Sequence, residues 1–273
     1  MLVLAAVPDI QYLKLRRAAA GMFSFVHVGD WDEALWAIRV RPVELAVVDP
    51  LLPGGGGARG QEIGRLRLLF PSLPLILYTS LTPDVASVLL SLGKQGITNV
   101  VLARFDDHPA RLSEVLKQEG ERSASRQLLG QFAEGLAPLS PDLRWLLEGA
   151  LHAPDEVQTV QQLATRANVT RRTCERRFAR LGLPSPRHFL AAARVLYAHR
   201  LLQDPGFTIE DVAQRLGYAQ VKTLQQHARN YLGLTAGEMR LSLSVDEAMQ
   251  SVLARFRRTV SPALPSVSAL QAS

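Results

Sequence analysis

Residues 44–55 read ELAVVDPLLPGG. Four apolar residues, Leu45 to Val48, run straight into a lone acid, Asp49, and then into a turn rich in proline and glycine. A short unbroken apolar run bounded by such a turn predicts a strand buried on both faces, as in a parallel sheet. Working outward, similar runs recur at 2–7, 25–28, 75–79 and 99–102. Helix starts stand between them. Asp30 to Glu33 has the spacing of a capping box, and Thr82-Pro83 sets an N-cap before a proline at the first helical position. Helices are therefore predicted over 9–20, 31–40, 59–70, 83–93 and 108–118. Five strand–helix units predict a flavodoxin-like, doubly wound, five-stranded parallel α/β sheet over residues 1–118. Such a sheet carries its sites at the carboxyl ends of its strands, here Ala5-Ala6-Val7, Asp49, Thr79-Ser80 and Ala103-Arg104.

The chain has 273 residues, enough for a second core. Its net charge of +6 is unevenly spread. Residues 1–118 carry 12 basic and 11 acidic side chains, whereas residues 141–240 carry 14 and 9. Six arginines fall between Arg166 and Arg180, a pattern that suits either a polyanion-binding surface or a solvated helix face. One cysteine, Cys174, excludes a disulfide framework, and no apolar run approaches a membrane span. A cytoplasmic protein is expected. No nucleophile–base pair or metal-ligand spacing is visible, so neither an enzyme nor a cofactor is expected. The Gly54–Gly57 run lacks the GK[ST] ending of a phosphate-binding loop.

Residues 119–140 are polar and rich in small residues, and read as a passive linker; the alternative for its amphipathic stretch, Arg126 to Glu134, is a short helix that carries movement between the domains. Beyond it the capping signals are dense. A helix is predicted from Pro141 to about Ala153, then 160–167, 171–180, 186–203, 209–216 and 221–232, followed by a capping box at Thr235/Glu238. The segments VQQLATRANV (160–169) and IEDVAQRLGY (209–218) repeat at an offset of 49: Leu163 meets Val212, Ala164 meets Ala213, Arg166 meets Arg215 and Asn168 meets Gly217. Helix, inward small residue, turn residue, apolar anchor, helix is the helix-turn-helix pattern, here twice in series. Residues 241–273 add one amphipathic helix and a tail expected to be disordered.

Two resemblances follow from these motifs. QQLATRANVTRRTCERRF, the connector SPRHFLAAARVLYAHRLLQDPGFTIEDVAQRLGY and YLGLTAGEMR resemble the DNA-binding domain of AraC/XylS transcription regulators, over residues 141–240. VVDPLLPGG, PLILYTSL and NVVLARFDD resemble the acceptor strand, fourth strand and fifth strand of a response-regulator receiver domain. The first resemblance implies that the helices 171–180 and 221–232 read DNA. Arg172, Glu175 and Arg176 share one face of the first, as do Lys222, Gln225 and Gln226 on the second. Thr170 and Arg171 are expected on phosphates, while Glu175 has the alternative of pairing with a neighbouring arginine. The second helix offers one base, Lys222, and the chain departs from the family at Ala228 and Ala236, so its share of the DNA affinity is expected to be the smaller.

The receiver resemblance makes Asp49 the acceptor position and Thr79 the switch hydroxyl. The acidic pair that holds Mg²⁺ in that family is replaced by Ala5 and Ala6, and its lysine by Ala103. A methyl group cannot ligate a hard cation, so Asp49 is expected to be a vestigial acceptor that caps its turn or bonds Thr79. The reading of the whole is a DNA-binding transcription regulator with a receiver-like domain that acts without phosphorylation. Its expected partners are double-stranded DNA, RNA polymerase and a second copy bound through the receiver-like domain. The alternatives are a response regulator phosphorylated on Asp49 and a protein-binding adaptor that does not bind DNA.

Overall fold

The computed structural model describes residues 1–55, 60–94, 96–135, 141, 156–180 and 183–260. For residues 132–135 and 257–260 only the backbone is described. The first part alternates strand and helix: β1 (Leu2–Ala6), α1 (Asp9–Ala19), β2 (Ser24–His27), α2 (Trp31–Val40), β3 (Val43–Val48), α3 (Gln61–Leu69), β4 (Leu75–Thr79), α4 (Pro83–Lys94), β5 (Val100–Leu102) and α5 (Pro109–Gly120). The strands are parallel in the order β2-β1-β3-β4-β5. This is the doubly wound order expected from the sequence.

Side chains of a strand alternate between faces, and the two faces meet different helices. Val3, Ala5, Leu45, Val47, Ile76 and Tyr78 pack with Leu15 of α1 and with Leu112, Val115 and Leu116 of α5. Leu4, Ala6, Ala46, Val48 and Leu77 pack with Trp31 and Ile38 of α2, Ile63 and Leu66 of α3, and Leu92 of α4. All six residues of β3 are buried. That explains why its sequence is an unbroken apolar run apart from Glu44.

The elements among the remaining described residues are helices: α6 (Ala124–Gly135), α7 (Val160–Arg166), α8 (Arg171–Arg180), α9 (Pro186–Leu202), α10 (Ile209–Arg215), α11 (Val221–Leu232), α12 (Met239–Ser242) and α13 (Val245–Val260). Within residues 119–140, expected to be a linker with a short helix as the alternative, α6 packs on the helical half. Ala124, Leu128 and Leu129 of α6 are buried in the same apolar cluster as Phe189, Leu196 and Leu201 of α9. Gln131 of α6 also donates to Asp246 of α13 at 2.7 Å. The amphipathic stretch is thus a packed helix whose polar face is the one visible in composition. Apart from Pro141, the predicted helix to Ala153 lies outside the described residues, as does the tail beyond 260.

A single apolar cluster runs from the α2/α3 face of the sheet into α9 and α10. Polar contacts fasten the two halves along that line. Arg215 of α10 is buried and donates to the carbonyls of Ile38, at 2.6 Å, and Val43. Tyr197 donates to Glu44 Oε1 at 3.0 Å, which gives the one acid within β3 a buried partner. Burial, with Glu44 beside it, pushes the Tyr197 hydroxyl well above the ordinary phenol range. Asp204 accepts from the Ser72 backbone at 3.2 Å and from its hydroxyl at 2.5 Å. Gly206 donates to Leu69 O at 2.7 Å, and Phe207 packs edge-on against Phe70, with ring centroids 4.8 Å apart. A Cβ at Gly206 would fall 2.6 Å from the Phe70 ring and 2.7 Å from Leu69 O, so only glycine permits this approach. The helical half is docked on the amino edge of the sheet, at the end opposite Asp49.

Candidate nucleic-acid interface

Each helix-turn-helix unit is built by short-range chemistry that its sequence specifies. Thr159 caps α7 in a full capping box with Gln162. Asn168 then takes the left-handed backbone, φ 50°, and Val169 donates back to Ala164 O at 3.0 Å. Thr170 Oγ1 accepts from the Thr173 amide at 3.1 Å and so starts α8. In the second unit Thr208 and Asp211 form the box, and Gly217 turns at φ 66°. Here the turn is one residue longer, so the offset between units grows from 49 at the first helices to 50 at α8 and α11. Gln220, at the N-cap of α11, makes no side-chain cap bond.

The two second helices present matching faces. In α8, Cys174 and Phe178 are buried, and Arg172, Glu175 and Arg176 stand exposed on the opposite side. In α11, Leu224 and Ala228 are buried, and Lys222, Gln225 and Gln226 are exposed opposite them. Four-residue spacing carries the exposed row of α11 on to Arg229, which is also exposed. Arg229 is thus a second base on that row beside Lys222, two turns further along, a correction to the single base expected there. Glu175 accepts from Arg171 Nε at 2.9 Å, which engages both an expected base reader and an expected phosphate contact. Gln226 donates to Asn230 at 3.0 Å. Burial raises the Cys174 thiol above its ordinary range, which suits a core residue and not a reactive thiolate.

Helix α9 joins the units and supports the second. Its 17 residues span about 25 Å at the helical rise. Arg194 donates to Leu216 O at 2.7 Å and lies 3.8 Å over the Tyr218 ring, clamping the second turn. Tyr231 of α11 donates to His188 O at 3.1 Å. Beyond α12, Ser244 and Glu247 cap α13 reciprocally, and Phe256 of α13 packs on Phe189.

At the carboxyl edge of the sheet Asp49 is 6% exposed. Its Oδ1 accepts from Thr79 Oγ1 and from the Leu51 amide, both at 2.9 Å. Both bonds named in the sequence reading are therefore present. Burial raises the Asp49 carboxyl above the ordinary carboxylate range, against the opposing pull of those two bonds. Ala5 and Ala6 are fully buried in β1, and Ala6 O accepts from the Asp49 amide at 2.8 Å. Lys14 pairs with Asp107 at 2.5 Å, and Tyr78 donates to the same carboxylate at 2.8 Å. Burial works to raise Asp107, but the bonds from Lys14 and Tyr78 outweigh it and hold the carboxyl below its usual value. Among the described residues no three His, Cys, Asp or Glu side chains group as a metal site, and no helix is long and apolar enough to cross a membrane.

The family described as "Helix-turn-helix domain" matches residues 163–254. None of the curated proteins matches the chain. Among solved structures, NtrX from Brucella abortus is 19% identical, covering 58% of this chain and 35% of its own, with a TM-score of 0.39. The chain thus spans about a third of that relative's length. RcsB from Salmonella enterica serovar Typhimurium, bound to a promoter, is 17% identical over 85% of this chain and 99% of its own, with a TM-score of 0.36. FixJ from B. japonicum is 16% identical over 87% and 97%, also with a TM-score of 0.36. The α/β half is assigned by its own strand order and not by these likenesses. Residues 163–254 therefore form a helix-turn-helix domain of the AraC type, and the chain joins it to a receiver-like α/β domain.

Proposed function

We propose that the chain is a sequence-specific DNA-binding transcription regulator that places α8 and α11 in successive major grooves. The observation that carries this reading is the matched pair of exposed faces, Arg172/Glu175/Arg176 and Lys222/Gln225/Gln226, each backed by a buried apolar row. Arginine can bond guanine bidentately, glutamine can do so with adenine, and glutamate accepts from cytosine. Thr170 and Arg171, at the start of α8, hold phosphate. Selection from a random duplex pool should enrich two boxes about one helical turn apart. Arg172→Ala with Arg176→Ala should weaken binding to the selected site by roughly 10- to 1,000-fold, from about 1–3 kcal/mol per bidentate contact, non-additivity included. An absence of duplex binding at low salt would instead favour a protein-binding adaptor.

The receiver-like domain in this reading works without phosphorylation, through protein contacts that include a homodimer and RNA polymerase. Ala5 and Ala6 in place of metal-binding acids support the first part. Exposed Leu81, Leu90 and Phe105, around α4 and after β5, support the second. The phosphorylated alternative draws on the retained Asp49–Thr79 bond. Mass spectrometry after incubation with acetyl phosphate and Mg²⁺ separates the two. An 80 Da adduct (roughly the mass of one added phosphoryl group) that disappears in Asp49→Asn would overturn the phosphorylation-free reading.

A further inference from the structure

A polar cavity of about 380 Å³ opens beside the docked domains, at the amino ends of β4 and β5. Three arginines line it from separate elements: Arg67 in the last turn of α3, Arg122 after α5, and Arg200 in the last turn of α9. Glu119 is the one acid among its described lining residues, and it is already bridged to Arg122 at 3.2 Å. Among the described residues neither Arg67 nor Arg200 makes a hydrogen bond or ion pair. Asp204 draws on Arg200 electrostatically from within the docking face, but its oxygens are taken by Ser72. Asn99 and Thr98 add neutral hydrogen-bonding groups. An anion bound in this cavity would be attracted by the positive charges of both Arg67 and Arg200. Their planar forks match the oxygens of a phosphate bidentately. The volume lies within the range of small-molecule sites.

We propose that this cavity binds a small polyanion carrying phosphate groups, clamped between Arg67 and Arg200. Arg67 belongs to the α/β half and Arg200 to the helix that carries both DNA-reading units, so an occupant bridges the two halves and strengthens their docking. The test is calorimetric titration of the full chain with inorganic pyrophosphate at fixed ionic strength. Saturable one-to-one binding is expected, weakened at least tenfold in Arg67→Gln and in Arg200→Gln. It should persist in Arg172→Ala with Arg176→Ala, which removes the competing cations of α8. Pyrophosphate should also raise the unfolding temperature of the wild-type chain and leave that of Arg67→Gln unmoved. Citrate bound as tightly as pyrophosphate would overturn the phosphate assignment. Absence of saturable binding, or its loss in the α8 variant alone, would overturn the site.

Discussion

Among the described residues, the two hydrogen bonds to the Asp49 side chain end on the same oxygen, Oδ1, and an asparagine carbonyl could accept both. Asp49→Asn therefore removes a buried charge and keeps its partners. The carboxyl's folded pKa is raised, so between its ordinary and raised values the folded state holds a proton that the unfolded chain has released. Stability from this group is fully present below the ordinary carboxylate pKa and falls as pH rises through the folded value. At pH 7 the variant should be the more stable of the two, a gain that fades on acidification. Urea unfolding at several pH values measures it, and a loss at pH 7 would mean that the ionised carboxylate is held by more than these two bonds. The repeat supplies a second comparison. Arg166 and Arg215 occupy equivalent places, yet Arg166 pairs with Glu156 at the surface while Arg215 is 3% exposed and bonded to two carbonyls. Arg215→Ala should cost about 3 kcal/mol, whereas Arg166→Ala should stay within about 0.5 kcal/mol.

Among the elements, the turns show how local chemistry sets geometry. Asn168 and Gly217 both hold a positive φ, and a side chain lacking asparagine's local bonding is strained there. Gly217→Ala should destabilise by about 1 kcal/mol and Asn168→Gly should be nearly neutral, read from thermal melting. Most of this level was legible in the sequence. The boxes at Thr159 and Thr208, the caps at Asp30 and Thr82, and the apolar strands are short-range signals that the structure reproduces. The matched faces of α8 and α11 followed from the same spacing. What the sequence hid was long-range. Nothing in IEDVAQRLGY distinguishes a surface arginine from one buried against another domain, because the carbonyls that receive Arg215 lie more than 170 residues away. The packing of α6 was hidden for the same reason: its polar residues dominate the composition while Ala124, Leu128 and Leu129 do the packing. Leu128→Ala should cost about 2–4 kcal/mol, the penalty of a core truncation.

For the whole molecule, a shared apolar cluster and four sets of polar contacts join the halves into one cooperative unit. Calorimetry should show a single unfolding transition, and Gly206→Val should split it in two by pushing Phe70 and Leu69 away. β3 has its two ends assigned to different partners. Val43 and Glu44 receive the helical half, and Asp49 follows the other end, some 15–20 Å along the strand. Docking at the amino edge has a practical consequence for anyone who treats the DNA-reading half as a cassette. Grafted onto a foreign sensor, it would carry Tyr197, Phe207 and Arg215 to the surface as an apolar patch with a charge stranded in it. Such a chimera would be sticky and weakly folded unless the new host offered two carbonyls and an acid in the same places. The half that reads DNA is not portable; its natural host is part of its fold.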